Sequence, residues 1–228
     1  MPAMPLNPTE LVSFLSQLHK HNNKEWFDAH RAVYQPLRTQ FIDLTQDVII
    51  GIAQFDSNIH ADLKPEDTLF RINRDVRFSK DKSPYKTQFS AAISAHGRRA
   101  QMPMYYFHIN EAGELFTAGG LYMPSPDKLA LVRKHLVSWP KEFDAFLKNK
   151  TFWKTFGAID GEQLKRIPKG FEEDAPHADY LRLKSWTAGQ ALRIKQGMTV
   201  DDDVLPFVLN TFRAMHPLIV WLRDAVGA

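Results

Sequence analysis

The hydrophobic period of this chain changes between Ala53 and Phe70, and that change limits the folds open to it. Before it, apolar residues recur at every third or fourth position: Leu11, Phe14, Leu15 and Leu18, then Leu37, Phe41, Leu44, Val48 and Ile52. Such spacing lines them along one stripe of a helix. After it, apolar and polar residues alternate with a period of two, which in a strand sends successive side chains to opposite faces. From Ser125 onward the helical spacing returns. Helices, a block of strands, then helices again imply an α+β fold, with an antiparallel sheet of four or more strands flanked by N-terminal and C-terminal helices.

Local signals mark the boundaries. Asn7-Pro8-Thr9-Glu10 joins a capping side chain, a proline at the first helical position and an acidic first turn, which predicts a helix start. Asn22 and Asn23 offer the cap of a short helix holding Trp26 and Phe27, and a longer helix is expected over 32–53 with Pro36 near its start. Strands are expected over Phe70–Phe78, Thr87–Ala95, Met104–Asn110 and Leu115–Tyr122, the last two joined by a turn at Asn110–Gly113. Their short connections imply an antiparallel meander.

Beyond these strands, Ser125-Pro126 opens a helix that Trp139-Pro140 breaks. A short strand is expected near Leu164–Ile167, a short helix over His177–Leu183, and extended chain at Ser185–Thr187. Terminal helices cover Val200–Val226, with an interruption at His216-Pro217. No repeat or linker appears, so residues 1–228 are expected to form one domain.

Charge is concentrated in one place. The stretch Phe70–Lys86, FRINRDVRFSKDKSPYK, holds six cations and two anions, a local net charge of +4, whereas the whole chain carries +3. The remainder therefore sums to −1, and the basic character lies largely in this stretch, as an anion-binding surface requires. The overall pI of about 9.0 is only mildly basic, which leaves nucleic-acid binding as an alternative.

Composition excludes several chemistries. With no cysteine there is no disulfide, thiolate zinc site or cysteine nucleophile. Nine histidines lack ligand spacing, and Asp201-Asp202-Asp203 is better explained by helix capping. No metal or cofactor is expected, and no phosphate-binding loop, nucleophile elbow or dinucleotide fingerprint occurs. MPAMPLNPTE has neither a basic nor an apolar leader region, and no run of eighteen apolar residues is free of charge. The expectation is a cytoplasmic protein with no membrane partner.

On a strand, Arg71, Asn73, Asp75 and Arg77 would share one face, with the two arginines about 20 Å apart at a rise of roughly 3.3 Å per residue. Arginine suits bidentate contact with phosphate or carboxylate, and Lys80, Lys82 and Lys86 add mobile positive charge. Tyr85 and Tyr106 are candidate hydrogen-bond donors, and Asp75 and His108 candidate general bases if a reaction occurs. Small residues on the neighbouring strands (Ser90, Ala92, Ser94, Gly119, Gly120) would leave room for a ligand or admit a covering helix. A second cationic turn carries Lys165, Arg166 and Lys169 near Phe171, Tyr180 and Trp186. Asp75 between Arg71 and Arg77 also fits an internal ion-pair network in a structural or partner-binding domain.

The segments FRINRDVRFSKDKSPYKTQFSA, AGGLYMP, IPKGF and LRLKSW, with FLSQLHKHNNKEWFDAHRAVY and HPLIVWLRDA towards the two ends, resemble an uncharacterised bacterial family, domain of unknown function 2461. The resemblance spans nearly the whole chain. It implies a bacterial α+β protein with no agreed activity and no catalytic residues to carry over. The leading expectation is binding of a phosphorylated or other anionic small molecule. A nucleic-acid module would add Arg98, Arg99, Lys165 and Lys169 to the basic surface.

Overall fold

The structure is a computed structural model that describes residues 5–95, 97, 98 and 101–227. Three helices open the chain: α1 (Pro8–Lys20), α2 (Lys24–Ala29) and α3 (Arg31–Ala53). The sequence signals account for the first two starts. The Asn7 side chain accepts from the backbone N–H groups of Thr9 and Glu10 at 3.1 and 3.3 Å, and Asn23 accepts from that of Trp26 at 2.9 Å. A single turn, α4 (Pro65–Thr68), precedes the basic stretch.

Four strands follow as an antiparallel open sheet in the order β1 (Gln88–Ile93), β2 (Met104–Asn110), β3 (Glu114–Leu121) and β4 (Trp186–Arg193). Between β3 and β4 lie α5 (Pro126–Ser138), α6 (Pro140–Leu147), α7 (Lys150–Phe156) and α8 (Ala178–Leu181). A wide π-helical turn, Val200–Val204, leads into α9 (Leu205–Val226). The observed class is the expected α+β.

The chain forms two compact units. The first gathers the chain through Arg98 with Tyr106–Thr117 and Ala191–Asn210. Its core joins the apolar stripes of α1 and α3 to the buried face of the sheet, where Phe41 packs against Phe89 and Phe107 at ring separations of 5.5 and 5.4 Å. The second contains Ala118–Gln190 and the chain from Thr211 on. Its core is aromatic: Phe143, Trp186 and Trp221 lie with ring centres 4.8 to 5.9 Å apart.

Several details depart from the sequence reading. Phe70–Phe78 is not a strand. Leu69, just before it, makes one isolated bridge to Ala91 of the sheet, the Phe70 N–H donates to the Ser90 carbonyl, and Asn73 then pairs with Tyr85 in a short hairpin. Of its supposed inward face only Ile72 is buried, while Phe70 is 39% and Phe78 95% exposed. The alternation is real, but there is no core for the outer positions to enter. No strand forms at Leu164–Ile167, where Gln163 makes a single bridge to Leu183.

β4 is longer than the extended chain expected at Ser185–Thr187. α9 runs through Pro217 without a break. The backbone hydrogen bond that proline forfeits is outweighed by burial of Ala214, Met215, Leu218, Ile219, Trp221 and Leu222 around it. Among the described residues, only the helical stretch Val200–Val226 is long and apolar enough to cross a bilayer, and half of its most apolar window is buried within the protein.

Candidate functional site

A cavity of about 320 Å³ opens in the first unit between α3, the chain from Glu66 to Asn73, and β1. Its apolar walls are Phe41, Leu69, Phe70, Ile72 and Phe89, and three guanidinium groups border it: Arg38, Arg71 and Arg98. They arrive from separate elements. Arg38 stands one helical turn beyond Tyr34 on α3, a spacing that places both on one face. Burial raises the pKa of the Tyr34 hydroxyl, and the positive charge of Arg38 beside it acts in the opposite direction. Arg71 sits between Phe70, whose N–H donates to the Ser90 carbonyl at 3.0 Å, and the buried Ile72, so its position is set by both neighbours.

Arg98 donates to the Asp67 carbonyl oxygen at 2.7 Å, which ties the chain after β1 to α4. Arg71 makes no hydrogen bond or ion pair among the described residues, and Glu66 is the only acidic residue among the described cavity residues. Three cations facing one carboxylate leave the cavity electropositive.

Lys86 extends this group. Its ammonium lies 5.0 Å from the centre of the Phe70 ring. Burial lowers its pKa, and the nearby charges of Arg71 and Arg98 lower it further. Asn73 also lines the cavity.

The other residues singled out by sequence lie elsewhere. Arg77 is engaged with Asp75 in an exposed ion pair, which holds the Asp75 carboxyl below the usual carboxylate range. Lys80 is exposed, and Lys82 donates to the Val76 carbonyl at 3.0 Å. Tyr85 is buried with its ring stacked on Phe27 at 4.1 Å, while its backbone N–H and carbonyl are both bonded to the Asn22 side chain. Its role is to fasten the hairpin to α2. Lys169, like Lys165 and Arg166, is exposed in the second unit. Arg99 lies outside the described residues.

Tyr106 and His108 project from the same side of β2 and are joined by a hydrogen bond of 3.1 Å between the Tyr106 oxygen and His108 Nδ1. Gln88 donates to the same Tyr106 oxygen at 3.1 Å. Burial pushes the His108 pKa down, against the opposing charges of Glu114 and Glu111. With the proton of neutral His108 on Nε2, Nδ1 accepts from the Tyr106 hydroxyl, which in turn receives from Gln88. This is a proton-transfer arrangement by geometry, and neither side chain is among those lining the cavity.

Gly119 and Gly120 leave no space for a ligand. A side chain at Gly119 would strike Met215 and the Met104 carbonyl, and one at Gly120 would strike the Trp186 carbonyl. They admit packed neighbours, as the covering-helix reading allowed. Sequence reasoning missed Arg38 and Tyr34 as cavity residues. Their spacing of four on α3 was the available signal, lying beside the apolar stripe of Leu37 and Phe41.

A family model described as Conserved hypothetical protein (DUF2461) matches residues 10–221, so the chain belongs to that family. Searches of the curated proteins and of the solved structures find no match.

Proposed function

We propose that this member of the DUF2461 family binds a small phosphorylated or otherwise multiply anionic ligand in the cavity bordered by Arg38, Arg71 and Arg98. One observation carries the reading: guanidinium groups from three separate parts of the chain converge on one cavity, with a single acidic residue among its described lining. Like charges held together are unfavourable unless a counter-charge joins them, and guanidinium forks match the oxygens of phosphate two at a time. The volume lies near the lower end of the range typical of small-molecule sites, roughly 300–1,000 Å³. Phe70 and the buried rings beneath it supply an apolar wall for the organic part of the ligand.

Calorimetric titration with inorganic phosphate, a phosphomonoester and a carboxylate tests the proposal. Binding of at least one of them, weakened tenfold or more by Arg71→Ala, is expected. Absence of binding by all three, or binding unchanged in an Arg38→Ala/Arg71→Ala double variant, would overturn it.

A further inference from the structure

Among the described residues, the large apolar side chain with the highest fractional exposure is on the hairpin loop Asp75–Ser83 and does not line the cavity. Phe78 is 95% exposed. A ring left so open contributes nothing to the core and has only the Arg77 guanidinium beside it, so most of its apolar surface is covered only when something outside the chain meets it.

The loop that presents it is braced. Its arms are joined by bonds from the Arg74 N–H to the Pro84 carbonyl at 2.9 Å and from the Lys86 N–H to the Ile72 carbonyl at 2.8 Å. Arg74 pairs with Asp81, which also accepts from the Ser83 N–H and hydroxyl at 2.9 and 2.7 Å. Arg77 grips Asp75, and Lys82 reaches back to the Val76 carbonyl. Much of the ordering cost of holding Phe78 outward is therefore met before any partner arrives.

The chemistry around the ring defines the partner. From Arg74 to Lys82 four cations face two anions, a net +2, and both anions are occupied by Arg74 and Arg77. Lys80 makes no hydrogen bond or ion pair among the described residues, and Lys82 uses one of its three N–H donors. This charge complements an anionic partner. The Arg77 guanidinium stands 5.7 Å from the centre of the Phe78 ring, so a group that meets the open ring meets it beside a positive charge.

A bilayer fits this poorly. Sinking Phe78 among acyl chains would draw the Arg77–Asp75 ion pair down with it and bring the Asp75 carboxylate against an anionic surface. A single-stranded nucleic acid fits well, since it offers base faces for the open side of the ring and phosphates within reach of flanking lysines.

We infer that the loop Asp75–Ser83 is a docking site for single-stranded nucleic acid, with Phe78 stacking on a base and Lys80 and Lys82 contacting phosphates. Unpaired strands are favoured over duplex, whose bases are already stacked and closed to the ring. The inference stands apart from the cavity, whose arginines it does not use.

Fluorescence anisotropy of the full chain with a labelled oligothymidylate at low salt tests it. Binding is expected to weaken about tenfold in Phe78→Ala and to survive in Phe78→Trp. In Lys80→Gln/Lys82→Gln the slope of log affinity against log salt should fall by about 0.7 for each lysine lost. Because Phe78 touches so little of its own chain, the Phe78→Ala protein should melt with the wild type, which separates lost contact from lost fold. Equal affinity of Phe78→Ala and wild type, or no binding at low salt, overturns the inference. So does Phe78-dependent binding to phosphatidylglycerol vesicles without binding to the oligonucleotide.

Discussion

Arg77 and Asp75, two residues apart, form a two-point ion pair in which Nε donates to Oδ1 at 3.0 Å and Nη2 donates to Oδ2 at 2.7 Å. Four residues before Asp75, Arg71 lines the cavity with no such two-point partner among the described residues. The basic stretch therefore divides its arginines by pairing. Arg74 and Arg77 are ion-paired with Asp81 and Asp75, whereas Arg71 acts on Asp75 only through its charge and lines the cavity, where the proposed anion would meet it.

Arg71→Ala should abolish or strongly weaken phosphate binding and leave the melting temperature near that of the wild type. Arg77→Ala should do neither, because an exposed pair of this kind contributes little to stability. Paired calorimetry and thermal melts check both. Loss of phosphate affinity in Arg77→Ala would show that the exposed loop takes part in the cavity site.

Lys86 predicts a proton linkage. Burial, Arg71 and Arg98 hold its pKa below the ordinary 10.5. An anion bound beside those arginines favours the charged ammonium, so the Lys86 pKa rises on binding and the complex takes up protons in the alkaline range below 10.5. Phosphate affinity should consequently fall as pH climbs through that range. Titrations at alkaline pH in two buffers of different ionisation enthalpy should differ in observed heat for the wild type and agree for Lys86→Met. Agreement in both proteins would count against Lys86 sensing the ligand.

What could be read in the sequence follows the range of the forces involved. The starts of α1, α2 and α5, the break at Trp139-Pro140, and the hairpin of β2 and β3 depend on residues within a few positions of one another. β4 was legible only in part. Trp186 and Ala188 are buried, but Gln190 and Ala191 do not continue the alternation, and the strand is held by its partner rather than by its own pattern. The same distinction holds at the site. Arg71 and Asn73 stood out because charge clusters locally. Arg38 and Arg98 join them only because α3 and the chain after β1 fold to the same cavity, a relation of long sequence separation that no local period records. The strand expected at Phe70–Phe78 failed for a related reason: an alternating pattern needs a surface to bury against, and Phe78 has none.

His108 predicts a pH dependence of stability. Its pKa in the folded protein lies below the ordinary 6.5, so the unfolded chain binds the proton more readily. Stability is therefore retained above 6.5 and lost as pH falls from there through the depressed folded value. His108→Gln keeps an acceptor for the Tyr106 hydroxyl and removes the titration. The drop in melting temperature between about pH 8 and 5 should be smaller in the variant than in the wild type. An identical drop would place the acid sensitivity in other groups.

The close approach at Gly120 gives the sharpest stability prediction. Its backbone lies at φ 119°, a region that side chains of L-residues rarely enter. A Cβ at this position would also overlap the Trp186 carbonyl oxygen, a backbone atom of β4 that cannot rotate away as a side chain could. Gly120→Ala thus faces backbone strain and a clash together, and relief of the clash requires β4 to shift where Trp186 is packed against Trp221 at 5.3 Å. The expected cost is about 2 kcal/mol or more, visible as a lower denaturation midpoint. Gly97, also at positive φ, has open space around it, so Gly97→Ala carries the strain without the collision. Its midpoint should fall by less, and the difference between the two variants measures how tightly β3 and β4 are locked at Gly120.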